Sequence, residues 1–192
     1  MKKKTAALIS FLFNPSFTFP LLLLLVILKA HFTPDQEKLI LPLIFFVNLV
    51  IPAILWTIFM KKGWISDWEM TKRLERINFY LILSFLFFLG TMIVYFFGNS
   101  LAGNLYLIFS LAFFLATLIT LFWKISIHLL VDTLFINILN FLFPGFFFLY
   151  LFLPPIAWSR YVRHKHTPAQ LLGGFLLSFL VFWTGWYFLL RS

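Results

Sequence analysis

The sequence predicts an all-α, polytopic integral membrane protein, and three observations carry that reading. Of its 192 residues, 62% are hydrophobic, and the mean hydropathy is +1.01. Only 11% are charged, so a water-soluble fold of this length would lack the polar surface to enclose its apolar side chains. The apolar residues also fall in long runs separated by short polar islands, which predicts one transmembrane helical domain over 1–192 with no internal repeat and no domain outside the membrane.

A helix that crosses a bilayer needs about 20 apolar residues. Seven segments approach that length: 11–28, 39–60, 77–97, 105–123, 126–143, 146–158 and 169–190. The first follows Met1-Lys2-Lys3-Lys4. No small-residue cleavage site follows it, so it is expected to be a retained helix and not a cleaved signal. The second carries Pro42 and Pro52, each of which leaves a helix carbonyl without its usual donor and favours a kink. The sixth is short and contains Pro154-Pro155. It is expected either as a half-span or as the return arm of a hairpin around Pro144-Gly145, which gives six to seven transmembrane helices in all.

Charge sorts the connections. With seven crossings, twelve of the fifteen Lys and Arg fall on the face shared by the N-terminus, 61–76, Lys124-Ile125 and 159–168. The other face holds only Lys29, Lys38 and Arg191. Basic residues are retained on the cytoplasmic side of a membrane, so the N-terminus and this rim are expected to be cytoplasmic, in a plasma or bacterial inner membrane. The same rule accounts for the net charge of +9 without nucleic acid. There are no cysteines, which excludes disulfides and thiolate chemistry.

The predicted rim gathers polar residues from distant parts of the chain. Lys72, Arg73 and Arg76 precede the third span. Ser126 and His128 open the fifth, with Asp132 one helical turn further on the same face. The densest island, Ser159-Arg160-Tyr161-Val162-Arg163-His164-Lys165-His166-Thr167-Pro168-Ala169-Gln170, lies between the sixth and seventh. Asp132 is costly in an apolar segment and needs a partner, for which His128 and Arg160 are the nearest candidates. His164 and His166 stand two apart, but no nearby carboxylate or Cys completes a ligand set, and no metal is expected.

The order Ser-Arg, five residues, His, three residues resembles the third signature of the type 2 phosphatidic acid phosphatase superfamily, SRxxxxxHxxxD. Gln170 stands where that family has Asp. The middle signature, PSGH, is matched in part by Ile125-Ser126-Ile127-His128. The first, KxxxxxxRP, is matched only by Arg76, with Ile77 in place of Pro and Glu69 in place of Lys. The resemblance implies a lipid-phosphatase-like helical core over about 64–180. By carry-over, His166 would attack the phosphate, forming a phosphohistidine, and His128 would protonate the leaving alkoxide. Arg160, Arg76, Arg73 or Lys72 and Ser126 would hold the phosphate, supported by Ser159 and Asp132, with no cofactor. Gln170 would orient His166 without offsetting its charge, and an amide at the orienting position of a serine-protease triad costs about 10⁴ in rate.

Two functions follow from the resemblance. One is a divergent lipid-phosphate phosphatase acting on or binding a phosphorylated lipid. The other is a catalytically inactive relative, serving as a subunit of a membrane complex or as a lipid-headgroup binder. Simpler readings accompany both. The island at 159–170 can be an ordinary basic loop, Asp132 can form a structural ion pair, and 61–76 can lie on anionic lipid.

Overall fold

In a computed structural model, which describes residues 2–191, the chain is helical, and no strand occurs among those residues. The helices are α1 (Lys2–Leu12), α2 (Pro15–Lys29), α3 (Pro34–Phe45), α4 (Ile51–Lys61), α5 (Arg73–Phe97), α6 (Ser100–Phe122), α7 (Ile127–Leu142), α8 (Leu153–Val162) and α9 (Pro168–Gly185). Five helical stretches among the described residues are long and apolar enough to cross a membrane: Lys2–Lys29, Pro34–Lys61, Arg73–Phe97, Ser100–Phe122 and Pro168–Leu190.

These are five of the six to seven expected spans, and Ile127–Leu142 is a further, shorter apolar helix. The predicted fifth span becomes α7, whose 16 residues reach about 24 Å, short of a hydrocarbon core of about 30 Å. The predicted sixth span is not one long helix. After a turn at Pro144-Gly145, where Gly145 has φ +112°, the chain makes a 3₁₀ segment at Phe147–Phe152 and then the 10-residue α8. Pro154 and Pro155 sit in the first turn of α8, where the missing N–H groups had no intrahelical acceptor anyway.

The chain divides into two compact units, Met1–Val26 with Lys124–Ser192, and Ile27–Trp123. The core expected over 64–180 therefore draws on both.

The Ile27–Trp123 unit is built on the antiparallel pair α5 and α6. Asn99 starts α6 by accepting the Ala102 N–H, and its amide also donates to Ala30 O. Buried hydroxyls pair across the interface, Thr91 with Ser110 at 2.9 Å and Ser84 with Thr117 at 3.1 Å. Such bonds satisfy polar groups where no water is present. Phe87 packs edge-on against Phe109 and Phe113 between them. The α3–α4 stretch stays continuous through a π-helical segment at Phe46–Val50, between Pro42 and Pro52. There Asn48 presses on α5, where a Cβ at Gly90 would lie 2.4 Å from its amide nitrogen.

In the other unit, α1 and α2 are separate because Pro15 biases Asn14 away from helical backbone, while the Asn14 side chain accepts the Ser16 N–H at 2.9 Å. The Lys-rich start of the chain is therefore a helix, α1, and not a polar lead-in. It packs on α8. A core of Leu129, Ile136, Leu153, Ile156 and Leu171 joins α7, α8 and α9, with Ile9 of α1 and the following Phe13 against it. Helix α7 is enclosed, with only Phe135 and Phe141 of its residues partly exposed.

Candidate functional site

The polar island at 159–170 is a helix stop followed at once by a helix start. Helix α8 ends in a Schellman motif: His164 N donates to Tyr161 O at 2.9 Å, and Lys165 N to Arg160 O at 3.0 Å. His164 takes the left-handed conformation this requires, with φ +54°. Helix α9 then begins with a capping box, in which Thr167 Oγ1 accepts Gln170 N at 3.3 Å and Gln170 Oε1 accepts Thr167 N at 3.2 Å. The same Thr-Pro-x-Gln device starts α3 at Thr33–Gln36.

Between stop and start stands His166, nearly buried, with Nδ1 3.2 Å from Gln170 Oε1. The roles in this contact follow from the capping box. A backbone N–H only donates, so the Gln170 atom facing Thr167 N is the carbonyl oxygen. That same oxygen faces Nδ1, so Nδ1 carries the hydrogen, and the lone pair of the neutral ring lies at Nε2.

The start of α7 lies against the start of α9. Ser126 N donates to Gln170 O at 3.2 Å, and a Cβ on Gly174 would fall 2.3 Å from Ser126 O. Ser126 caps α7 through Oγ, accepting Leu129 N, so that its hydroxyl serves the helix. Lys124 Nζ donates to Lys165 O at 2.6 Å. His128 is buried in the first turn of α7. Thus Ser126, His128, His166 and Gln170 belong to one end of this unit.

Arg160 points into the protein and is 1% exposed. Its Nη1 donates to Ser10 Oγ of α1, which also accepts Arg163 Nη1 at 2.8 Å. Asp132, 2% exposed, lies within the electrostatic reach of Arg160 and of Thr18 of α2. Neither Asp132 oxygen is aligned for a hydrogen bond among the described residues, and the Thr18 hydroxyl bonds to Asn14 O. Ser159 turns away, its hydroxyl donating to Ile156 O of its own helix at 2.7 Å. Ser10 was not foreseen. Only its place at the end of a Lys-rich, helix-length segment signals it.

The remaining predicted cations belong to the Ile27–Trp123 unit, each with work there. Arg73 Nη1 donates to Thr120 O, at 2.9 Å, and to Leu121 O, closing the C-terminal end of α6, where a cation is favoured by the helix dipole. Arg76 is buried, with Nε donating to Met70 O at 2.6 Å. Lys72 pairs with Glu75 at 3.2 Å, and Glu75 also accepts from Ser66. An apolar groove on α3 and α4, lined by Phe45, Leu49, Ala53, Ile54 and Ile58, contains none of the predicted site residues. Among the described residues no three His, Asp or Glu side chains gather as a metal site would need.

No family model, no curated protein and no solved structure matches this chain.

Proposed function

We propose that the chain is a divergent lipid-phosphatase-like membrane protein that engages a phosphorylated lipid at the end of the unit where α7 and α9 begin. The contact between His166 and Gln170 carries this reading. It holds the imidazole in the tautomer with its lone pair at Nε2, the form a nucleophile needs. His166 attacks the phosphorus, the P–O bond to the lipid breaks, and a proton passes to the leaving alkoxide from His128. Water then hydrolyses the phosphohistidine. Arg160 stabilises the charge on the phosphoryl oxygens. The membrane is a plasma or bacterial inner membrane, with the N-terminus and the basic rim on the cytoplasmic side.

A second reading is an inactive relative that binds headgroups or other membrane subunits. It is favoured by the engagement of Arg160 with Ser10 and by the lack of a charge at Gln170. Phosphate release from phosphatidic acid, phosphatidylglycerol phosphate and a polyprenyl phosphate, with His166→Ala as control, decides between them. Release by the wild type that His166→Ala abolishes supports the enzyme. Release at background for every lipid leaves the binding reading.

A further inference from the structure

The Ile27–Trp123 unit carries a groove that the function above does not use. It follows the Pro34–Lys61 stretch over 45–61 and offers about 640 Å³, inside the range of about 300–1,000 Å³ common for ligand clefts. Helical rise makes it about 24 Å long, more than the ~15 Å of hydrocarbon in one leaflet. Ala53 hollows it, standing between Leu49 and Thr57 in a row of residues four apart. The Thr57 hydroxyl donates to Ala53 O at 2.8 Å and is satisfied within the helix. Phe45, Ala53, Ile54 and Ile58 are exposed, and only the Lys61 end of the groove is charged. At that end α4 closes in a Schellman motif: Trp64 N donates to Phe59 O and Gly63 N to Met60 O, both at 3.0 Å, with Gly63 at φ +70°. The turn sets exposed Trp64 edge-on against Phe59, with Lys62 Nζ 4.7 Å from the Trp64 ring. Tryptophan favours the headgroup level of a bilayer, so Trp64 and the exposed Trp68 put the Lys61 end of the groove at that level. Over 39–66 the chain has two cations, Lys61 and Lys62, and no acidic residue. The next acid, Asp67, accepts Glu69 N, Thr71 N and the Thr71 hydroxyl in its own turn, each at 3.0 Å.

We propose that this groove seats one anionic phospholipid, with an acyl chain along Ala53 toward Phe45 and the headgroup phosphate against Lys61 and Lys62. The fit has two parts. The apolar length takes hydrocarbon, and the basic end takes a negative headgroup lying at the level of the tryptophans. A zwitterionic headgroup carries its own cation, which the two lysines repel; an anionic one does not. A partner helix would cover the apolar face equally well, but it gives no reason for cations at one end. The proposal does not rest on the phosphatase reading, since none of the residues in that reading lines the groove. It describes a resident lipid that is held and not turned over.

The test titrates dioleoyl phosphatidylglycerol and dioleoyl phosphatidylcholine onto the full chain in detergent and reads bound lipid by native mass spectrometry. Phosphatidylglycerol is expected to bind about tenfold more tightly, and the double variant Lys61→Gln with Lys62→Gln to lose that preference. Ala53→Phe fills the groove and is expected to weaken the binding of both lipids. All three positions are exposed, and the lysine variant reads the headgroup end even if Ala53→Phe fails to fold. Equal binding of the two lipids by the wild type overturns the proposal. So does a preference that survives the loss of both lysines, or wild-type binding by a folded Ala53→Phe. Displacement of the lipid by inorganic phosphate would mark a free-anion site and overturn it too. The chain has no cysteine, so Ala53→Cys tests the rival occupant. A disulfide between copies that forms equally well with and without phosphatidylglycerol would give the groove to a second copy of the chain and end the lipid assignment.

Discussion

His166 Nδ1 and Gln170 Oε1 meet at 3.2 Å, and the same oxygen receives the Thr167 backbone N–H. One side chain thus starts α9 and orients the candidate nucleophile. The recurrence of Thr-Pro-x-Gln at Thr33–Gln36, in the other unit, shows that helix initiation alone explains a Gln at this place. Glutamine four residues after His166 is therefore no sign by itself of a decayed site. It is a capping residue that also touches the imidazole.

Gln170→Glu separates those roles. Glu keeps the length and the acceptor oxygen that the capping box needs, and adds the negative charge that stabilises an imidazolium. Phosphate release from a lipid phosphate is expected to rise by an order of magnitude or more, with the thermal midpoint unchanged. Gln170→Ala is expected to lose about 1 kcal/mol of stability with the cap, as well as the orientation of His166. A Glu variant no faster than wild type would remove His166 from the chemistry.

His164 pays for its place in the Schellman motif. A non-glycine residue in the left-handed region costs roughly 1–2 kcal/mol relative to ordinary helical backbone. His164→Gly is expected to stabilise the protein by about 1 kcal/mol, seen as a higher midpoint in thermal unfolding, and to leave lipid-phosphate binding intact. A loss of binding would show that the imidazole of His164 has a role beyond the turn.

Gly174 lets α9 approach the start of α7. A methyl group there would sit 2.3 Å from Ser126 O, and backbone cannot move aside as a side-chain end can. Gly174→Ala is expected to cost about 1–3 kcal/mol and to push Ser126 away from Gln170, lowering stability and any phosphate turnover together. Unchanged stability would mean that the α7–α9 contact is looser than its geometry.

The absence of cysteine makes orientation directly measurable. Lys165→Cys, in the loop between α8 and α9, is expected to react with a membrane-impermeant maleimide only after the cytoplasmic side is opened. Labelling of intact cells from outside would reverse the predicted orientation.

What was legible in the sequence was what depends on local chemistry. Apolar run lengths located the five long helices, and the turn at Pro144-Gly145 followed from residue type. The crossing count over 126–158 was not legible, because composition does not say whether an apolar segment faces lipid or protein. Enclosed α7 can be short and still apolar. The capping boxes at Thr33 and Thr167 were not singled out, although both carry Thr-Pro-x-Gln. Nor were the partners of the basic residues legible. Arg73 closes the end of α6 nearly fifty residues away, and Arg160 meets Ser10 across most of the chain. Such contacts are set by helix packing, to which a single sequence gives no distance.

Asp132 and Arg160 offer the sharpest test of how that unit is held together. Both are almost fully buried, and the charge of Arg160 acts on the Asp132 carboxylate. Asp132→Ala removes a buried carboxyl and Arg160→Met a buried guanidinium with its bond to Ser10, so each is expected to cost about 1–3 kcal/mol. Asp132→Asn keeps a dipole toward Arg160 and should cost less. The double variant Asp132→Ala with Arg160→Met measures the electrostatic interaction between the two, expected as a coupling of about 1 kcal/mol in a double-mutant cycle. The measurement is reversible unfolding in mixed detergent, followed by circular dichroism. Simple additivity would mean that the two groups do not stabilise each other. With coupling confirmed, Asp132 and Ser10 both act on the guanidinium of Arg160.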